Sequence, residues 1–178
     1  YYVINSTSLD FKIGGEKRDW EPLFDNLMPF RGVIIGGGCV IKNINLIEKN
    51  GISGIFGVLF GARIEGLIFS DITLTGTLQG SSAGILCSRM IDTEISFVNI
   101  SAVIDVTGPQ NIGTIAGSAE GIINNCNIYI DMTAAGDGIF VGGAAGVMYG
   151  DIINTTIFKQ NTLDTLLVTG NGVTVGAA

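Results

Sequence analysis

Small residues return along this chain at a nearly constant interval. Gly57, Cys87, Gly117, Gly146 and Gly176 follow one another 30, 30, 29 and 30 residues apart, and Ser53, Ala83, Gly113, Gly142 and Gly172 precede each of them by four. A period in this range belongs to stacked supersecondary units, each of which buries its apolar side against its neighbours. That restricts the chain to a few repeat architectures before any chemistry is considered.

Within each unit the apolar residues alternate with polar ones. Ile68-Phe69-Ser70-Asp71-Ile72-Thr73-Leu74, Ile100-Ser101-Ala102-Val103-Ile104-Asp105-Val106 and Ile128-Tyr129-Ile130-Asp131-Met132 all follow a period of two, the pattern of a strand with one buried face. Gly accounts for 27 of 178 residues, about twice the usual ~7% share, which suits tight corners between short strands. A propeller blade of four strands needs about 40 residues or more, so a propeller does not fit the period. A sandwich would need two-residue hairpin turns, and only Gly170-Asn171-Gly172 resembles one. The remaining solution is an all-β fold, a right-handed parallel β-helix with rungs of about 30 residues.

In that fold equivalent residues stack about 4.8 Å apart on successive rungs. Ile64, Ile123 and Ile153 lie six or seven residues after their repeat Gly and are expected to form an interior ladder. In the third unit Ile91 follows Cys87 by only four, which predicts a shortened corner there. Residues 1–30 break the period and read as an N-terminal cap with a short helical turn near Trp20 to Leu27. Residues 31–178 are the β-helix repeats, one continuous domain. The last unit, Gly172 to Gly176, begins a rung without completing it, and the chain opens on Tyr1. The sequence therefore reads as part of a longer chain, or as a subunit that self-assembles by stacking on the open C-terminal end.

The residues that carry this pattern resemble the GLUG-repeat surface proteins, an adhesin-like family. The resemblance runs from Trp20-Glu21-Pro22-Leu23 through Phe30-Arg31-Gly32 and Ile41-Lys42-Asn43-Ile44-Asn45-Leu46 to Gly54-Ile55-Phe56-Gly57. Gly84-Ile85-Leu86-Cys87 and Gly143-Ala144-Ala145-Gly146 are looser copies, and Cys87 departs from the family's glycine. The resemblance implies a surface scaffold of β-helical form. It brings no catalytic residue with it.

Chemistry is sparse. The chain has no histidine, so neither a Ser-His-Asp nor a Cys-His nucleophile can be assembled, and no C-x-x-C spacing suggests zinc. Ile35-Gly36-Gly37-Gly38-Cys39-Val40-Ile41 lacks the third glycine of a dinucleotide loop. No catalytic, metal or cofactor-binding residue is expected, and no cofactor. A net charge of −7 with nine basic residues disfavours nucleic acid, and no uncharged stretch is long enough for a membrane helix. Cys39, Cys87 and Cys126 cannot all pair within the chain. Cys87 reads as a small buried residue.

Two function classes follow. The first is a non-catalytic extracellular or cell-surface protein, structural or adhesive, able to form fibres and to contact glycans or other surface ligands. Asn5, Asn99 and Asn154 stand in N-x-Ser/Thr acceptor patterns, which makes them candidate N-glycosylation sites. The alternative is a β-helix that binds or cleaves polysaccharide. Asp71 and Asp131 each follow a repeat Gly by 14 residues, which would hold them about 9.6 Å apart across two rungs, near the upper end of the ~6.5–9.5 Å separation used by inverting glycosidases. A Thr array at Thr73, Thr75 and Thr77 is not repeated on the neighbouring rungs, which offer Ser101, Val103, Asp131 and Thr133.

Overall fold

The computed structural model describes residues 2–3, 7–159, 167–169 and 174–176. They form a parallel β-solenoid of about five turns with rungs near 29 residues, and no helix occurs among them. The strands in chain order are β1 Tyr2–Val3, β2 Ser8–Asp10, β3 Arg18–Trp20, β4 Val33–Leu46, β5 Gly57–Phe60, β6 Arg63–Thr77 and β7 Ser82–Ala83. They continue with β8 Cys87–Ser96, β9 Asn99–Thr107, β10 Asn111–Gly113, β11 Ala116–Asn124, β12 Asn127–Ala135 and β13 Phe140–Gly142. The last four are β14 Ala145–Ile153, β15 Thr156–Lys159, β16 Leu167–Thr169 and β17 Thr174–Gly176.

Each turn has three faces. The first carries β5, β8, β11 and β14; the second carries the later part of β4, then β6, β9, β12 and the pair β15 and β16. The short third face is β7, β10, β13 and β17. All pairings between these strands are parallel, because each strand returns to the same face one rung later. The period-two pattern sends its apolar set inward as continuous columns. Leu46, Leu74, Ile104 and Met132 form one column, and Ile44, Ile72, Ala102 and Ile130 form its neighbour. All eight are buried.

The repeat is real, but its register differs from the one the small residues suggest. Gly57 and Cys87 stack as expected, whereas the next members of that column are Ala116 and Ala145, one residue ahead of Gly117 and Gly146. The position that demands glycine on every rung lies three residues earlier, at Gly54, Gly84, Gly113 and Gly142. A Cβ on Gly113 would sit 2.4 Å from the Ala116 carbonyl oxygen and 2.5 Å from the Ala145 Cα, and one on Gly142 would sit 1.9 Å from the Ala145 oxygen. The chain turns from the third face to the first here, and successive corners nest against each other's backbone. Gly176 pairs with Gly142, so it belongs to this glycine column and not with Gly146. The predicted companion Gly172 lies outside the described residues.

The ladder of isoleucines is corrected in the same way. Ile64 stacks on Ile95, Ile95 on Ile123, and Ile123 on Ile152. Ile153 pairs instead with Asn124 and is 41% exposed. The third rung is not shortened at Ile91. It carries extra residues as bulges, one opposite Gly57–Val58 and one opposite Ala119–Gly121, and these push the ladder position out to Ile95.

A second corner, between the first and second faces, is built on left-handed backbone. Gly66, Phe97, Asn125 and Asn154 follow register-paired residues on successive rungs and have φ of 68°, 54°, 52° and 48°. Gly and Asn tolerate this region, and a bulky residue does so at a cost. Phe97 is the exception in the column.

Residues 7–30 form an irregular first turn. β2 and β3 pair in parallel with β4, extending the second face. Phe24 and Phe30 pack at 5.1 Å between ring centroids, and Phe30 continues onto Phe56. Trp20 meets Phe11 edge to face, and its indole N–H donates to the Ile55 carbonyl. The predicted helical turn over Trp20 to Leu27 does not form. Asp25 instead accepts the amide hydrogens of Leu27 and Met28 in an Asx turn, a local alternative to helix.

Candidate functional site

The outer side of the second face is the most organised surface of the molecule. Outward residues there stand in columns because the inward ones do, and several columns are hydrogen-bonded along the solenoid axis. Asn45 donates to Asp19 at 2.7 Å, and the Thr73 hydroxyl to the Asn45 amide oxygen at 3.1 Å. Asn127 donates to the Asn99 oxygen at 3.0 Å, and the hydroxyls of Thr77 and Thr107 lie 3.1 Å apart. Bonds of this kind lock the rotamers of exposed side chains, so the face presents a fixed polar pattern. Among the described residues of this face Thr77 and Thr107 are the one Thr pair repeated between neighbouring rungs; beside Thr73 stands Val103, and beside Thr75 stands Asp105.

The two carboxylates singled out by spacing fall in different columns. Asp131 pairs with Val103, which pairs with Thr73 and, beyond it, Asn45. Asp71 lies two residues before Thr73, inside a bulge of β6 opposite Ser101, with φ of 55°. Two rungs at about 4.8 Å and two strand residues at about 3.3 Å place their Cα atoms roughly 11–12 Å apart. An inverting pair holds its carboxyl groups ~6.5–9.5 Å apart on the two sides of one sugar ring, whereas these two residues stand in different columns. Asp71 is also engaged by Lys17, its carboxylate 2.6 Å from the ammonium. The equal 14-residue offsets missed this because the bulges absorb residues unequally on the two rungs.

Of the acceptor asparagines, Asn154 lies on the exposed left-handed corner, while Asn99 is half-buried at the start of β9 and held by Asn127. Asn5 lies outside the described residues. The three cysteines are all buried and free. Burial drives the Cys87 thiol far above its ordinary range, and it raises Cys126 as well, partly offset by hydrogen bonding with the backbone of Val98 and Asn124. Neither thiol has the exposed, electropositive setting of a reactive cysteine.

Two lysines at this face are paired with carboxylates. Lys42 reaches Asp10 at 3.3 Å, next to the Lys17–Asp71 pair. The Asp10 carboxyl is held below the usual carboxylate range, chiefly by the Asn43 amide, which donates at 2.6 Å, and then by the Lys12 backbone N–H.

The residues that sequence reasoning did not pick out are aromatic. Tyr129 on β12 and Phe158 on β15 are register partners, both 42% exposed, with ring centroids 4.8 Å apart and planes 12° from parallel. The alternation marked Tyr129 as outward, and nothing in the spacing linked it to Phe158. Among the described residues no cluster of His, Cys, Asp or Glu could hold a metal ion, and no helix is long and apolar enough to cross a membrane. No family model matches the chain, and neither a characterised protein nor a solved structure shows significant similarity to it.

Proposed function

We propose that the chain is a non-catalytic solenoid of an extracellular or cell-surface protein, related in design to the GLUG-repeat scaffolds, which adheres through the outer side of its second face. The observation that carries this reading is the ordered polar surface: columns of Asn, Asp and Thr whose rotamers are tied to one another, with Lys17 and Lys42 each paired with a carboxylate. A pre-ordered surface of this kind loses little side-chain freedom when a ligand docks. The GLUG-like residues have structural work in such a scaffold. Trp20 and Phe30 belong to the aromatic group of the first turn, and Gly54 and Gly84 permit the nested corners. Polysaccharide cleavage by Asp71 and Asp131 is the weaker alternative, since their columns differ.

Adhesion is tested with protein-coated beads on surfaces bearing mucin glycoprotein, collagen, dextran or mannan, with reducing ends assayed in parallel. The expected result is attachment to at least one surface, lost in Val103→Arg, with no new reducing ends. Val103 is half-buried in the middle of the face, so the variant places an unpaired charge there without touching the core. Attachment to none, equal attachment by the variant, or release of reducing ends would overturn the reading. A glycan mass shift on the natural protein, mapped to Asn154 before Asn99, is the companion expectation for an extracellular location.

A further inference from the structure

We infer that the second face contains a specific saccharide site, a recess beneath the Tyr129 ring that accepts one pyranose unit of a neutral glycan. The inference rests on the adhesive reading above and names its ligand class.

The aromatic stack on this face ends abruptly. Phe158 covers one side of the Tyr129 ring, and the register partner on the other side is Ser101, followed on the next rung by the bulge containing Ser70. Two serines where a third ring would continue the stack leave the second side of the phenol ring uncovered. The space they leave is a recess of about 280 Å³ bordered by Ile68, Ser70, Asn99, Ser101, Asn127 and Tyr129. Among the described residues the hydroxyls of Ser70, Ser101 and Tyr129 have no hydrogen-bonding partner. The Asn99 oxygen is engaged by Asn127, which fixes the orientation of both amides and directs the remaining Asn99 N–H groups as donors.

This combination matches the two chemistries of a sugar ring. A pyranose has an apolar face of C–H groups, which suits the negative face of an aromatic ring, and a rim of hydroxyls that both donate and accept. Hydroxyls and amides serve such a rim better than ions do, because each can take either role or supply both atom types. The local charge supports a neutral ligand. Lys42 and Lys17 lie at the far side of the Ser70 rung, and each is matched by a carboxylate, Asp10 or Asp71. The net charge of −7 opposes an anionic glycan.

The test is electrophoresis of the whole chain in native gels cast with dextran, mannan, xylan or a mixed-linkage β-glucan. The wild-type protein should be retarded by at least one of them. Tyr129→Ala should weaken that retardation about tenfold or more, and Tyr129→Phe should keep most of it, since the ring and not the hydroxyl is the platform. Ser101→Trp fills the recess while leaving Tyr129 in place and should also abolish retardation. Tyr149→Ala, on the first face and 68% exposed, should leave it unchanged. Wild-type retardation undiminished in Tyr129→Ala, or in Ser101→Trp, overturns the recess while leaving adhesion by the face standing. Bead attachment to mucin or collagen without retardation in any gel does the same. Absence of both retardation and bead attachment removes the two readings together.

Discussion

Replacing Ile95 by Ala should be one of the most damaging single truncations in the solenoid, and replacing Ile91 by Ala should be mild. Ile95 is fully buried, stacked between Ile64 and Ile123 in the interior ladder of the first face. Ile→Ala deletes three carbon groups, worth about 2.4 kcal/mol at ~0.8 kcal/mol per buried methylene. The residual cavity adds more, and the total falls within the range of about 2–5 kcal/mol seen for such core truncations. Neighbouring rungs cannot collapse to fill the gap, because their backbone spacing is set by the ladder hydrogen bonds. At roughly 2–4 °C per kcal/mol for a chain of this size, the melting temperature should fall by about 4–20 °C. Ile91 is half-buried beside the bulge, and Ile153 is 41% exposed, so Ile91→Ala and Ile153→Ala should each cost about 1 kcal/mol or less. Urea unfolding of the three variants, followed by far-UV circular dichroism, measures the differences. An Ile91→Ala loss equal to that of Ile95→Ala would refute the register, as would an Ile95→Ala protein as stable as the parent. Ile123→Asp in the same column should be more severe still, since it buries an unpaired carboxylate.

Phe97→Asn should raise the melting temperature by a few degrees. It relieves a left-handed backbone cost of about 1–2 kcal/mol at a ring already 56% exposed, and Asn occupies the same corner at Asn125 and Asn154; a lower melting temperature would show that the ring's contacts outweigh the strain. Gly113→Ala should destabilise by about 1–3 kcal/mol or more, because the added Cβ meets backbone on two sides, and a near-neutral urea midpoint would contradict the nested corner. Cys87 stays protonated when folded, so its contribution is complete below the ordinary thiol value of 9.0 and is lost as pH rises above it, when the unfolded thiol ionises. At pH 10 that loss is about 1.4 kcal/mol. Cys87→Ala, which matches Ala116 and Ala145 in its column, should reduce the drop in unfolding free energy between pH 8 and pH 10 by that amount; an unchanged drop would mean the thiol reaches water.

The repeat, the parallel solenoid and the inward apolar columns were legible without coordinates, because period two and a period near 30 are written in side-chain type. Register was not. Gly117 and Gly146 looked equivalent to Gly57, yet the rung that carries the β6 bulge is one residue longer than the rungs after it, so the column passes to Ala116 and Ala145, and a bulge has no dependable sequence mark. The β8 bulge moved the ladder from Ile91 to Ile95, the one-residue shift of the column moved it from Ile153 to Ile152, and the β6 bulge separated Asp71 from Asp131. The glycine column at Gly54, Gly84, Gly113 and Gly142 was within reach, since glycine stands at every one of those positions. It was obscured by the more frequent small residues around it.

What the amino-acid sequence determined by itself is the kind of object this is: a solenoid of short strands, poor in charge and without a histidine. Only the tertiary structure decided which outward residues share a column, and therefore that Tyr129 lies under Phe158 and over Ser101, with Asn127 tied to Asn99. The physical reason is that alternation sets which side of a strand a residue takes, whereas its neighbours across rungs depend on the summed length of every corner and bulge between them. One residue gained or lost in a corner or bulge hardly alters the composition, yet it changes which residues an even spacing would pair.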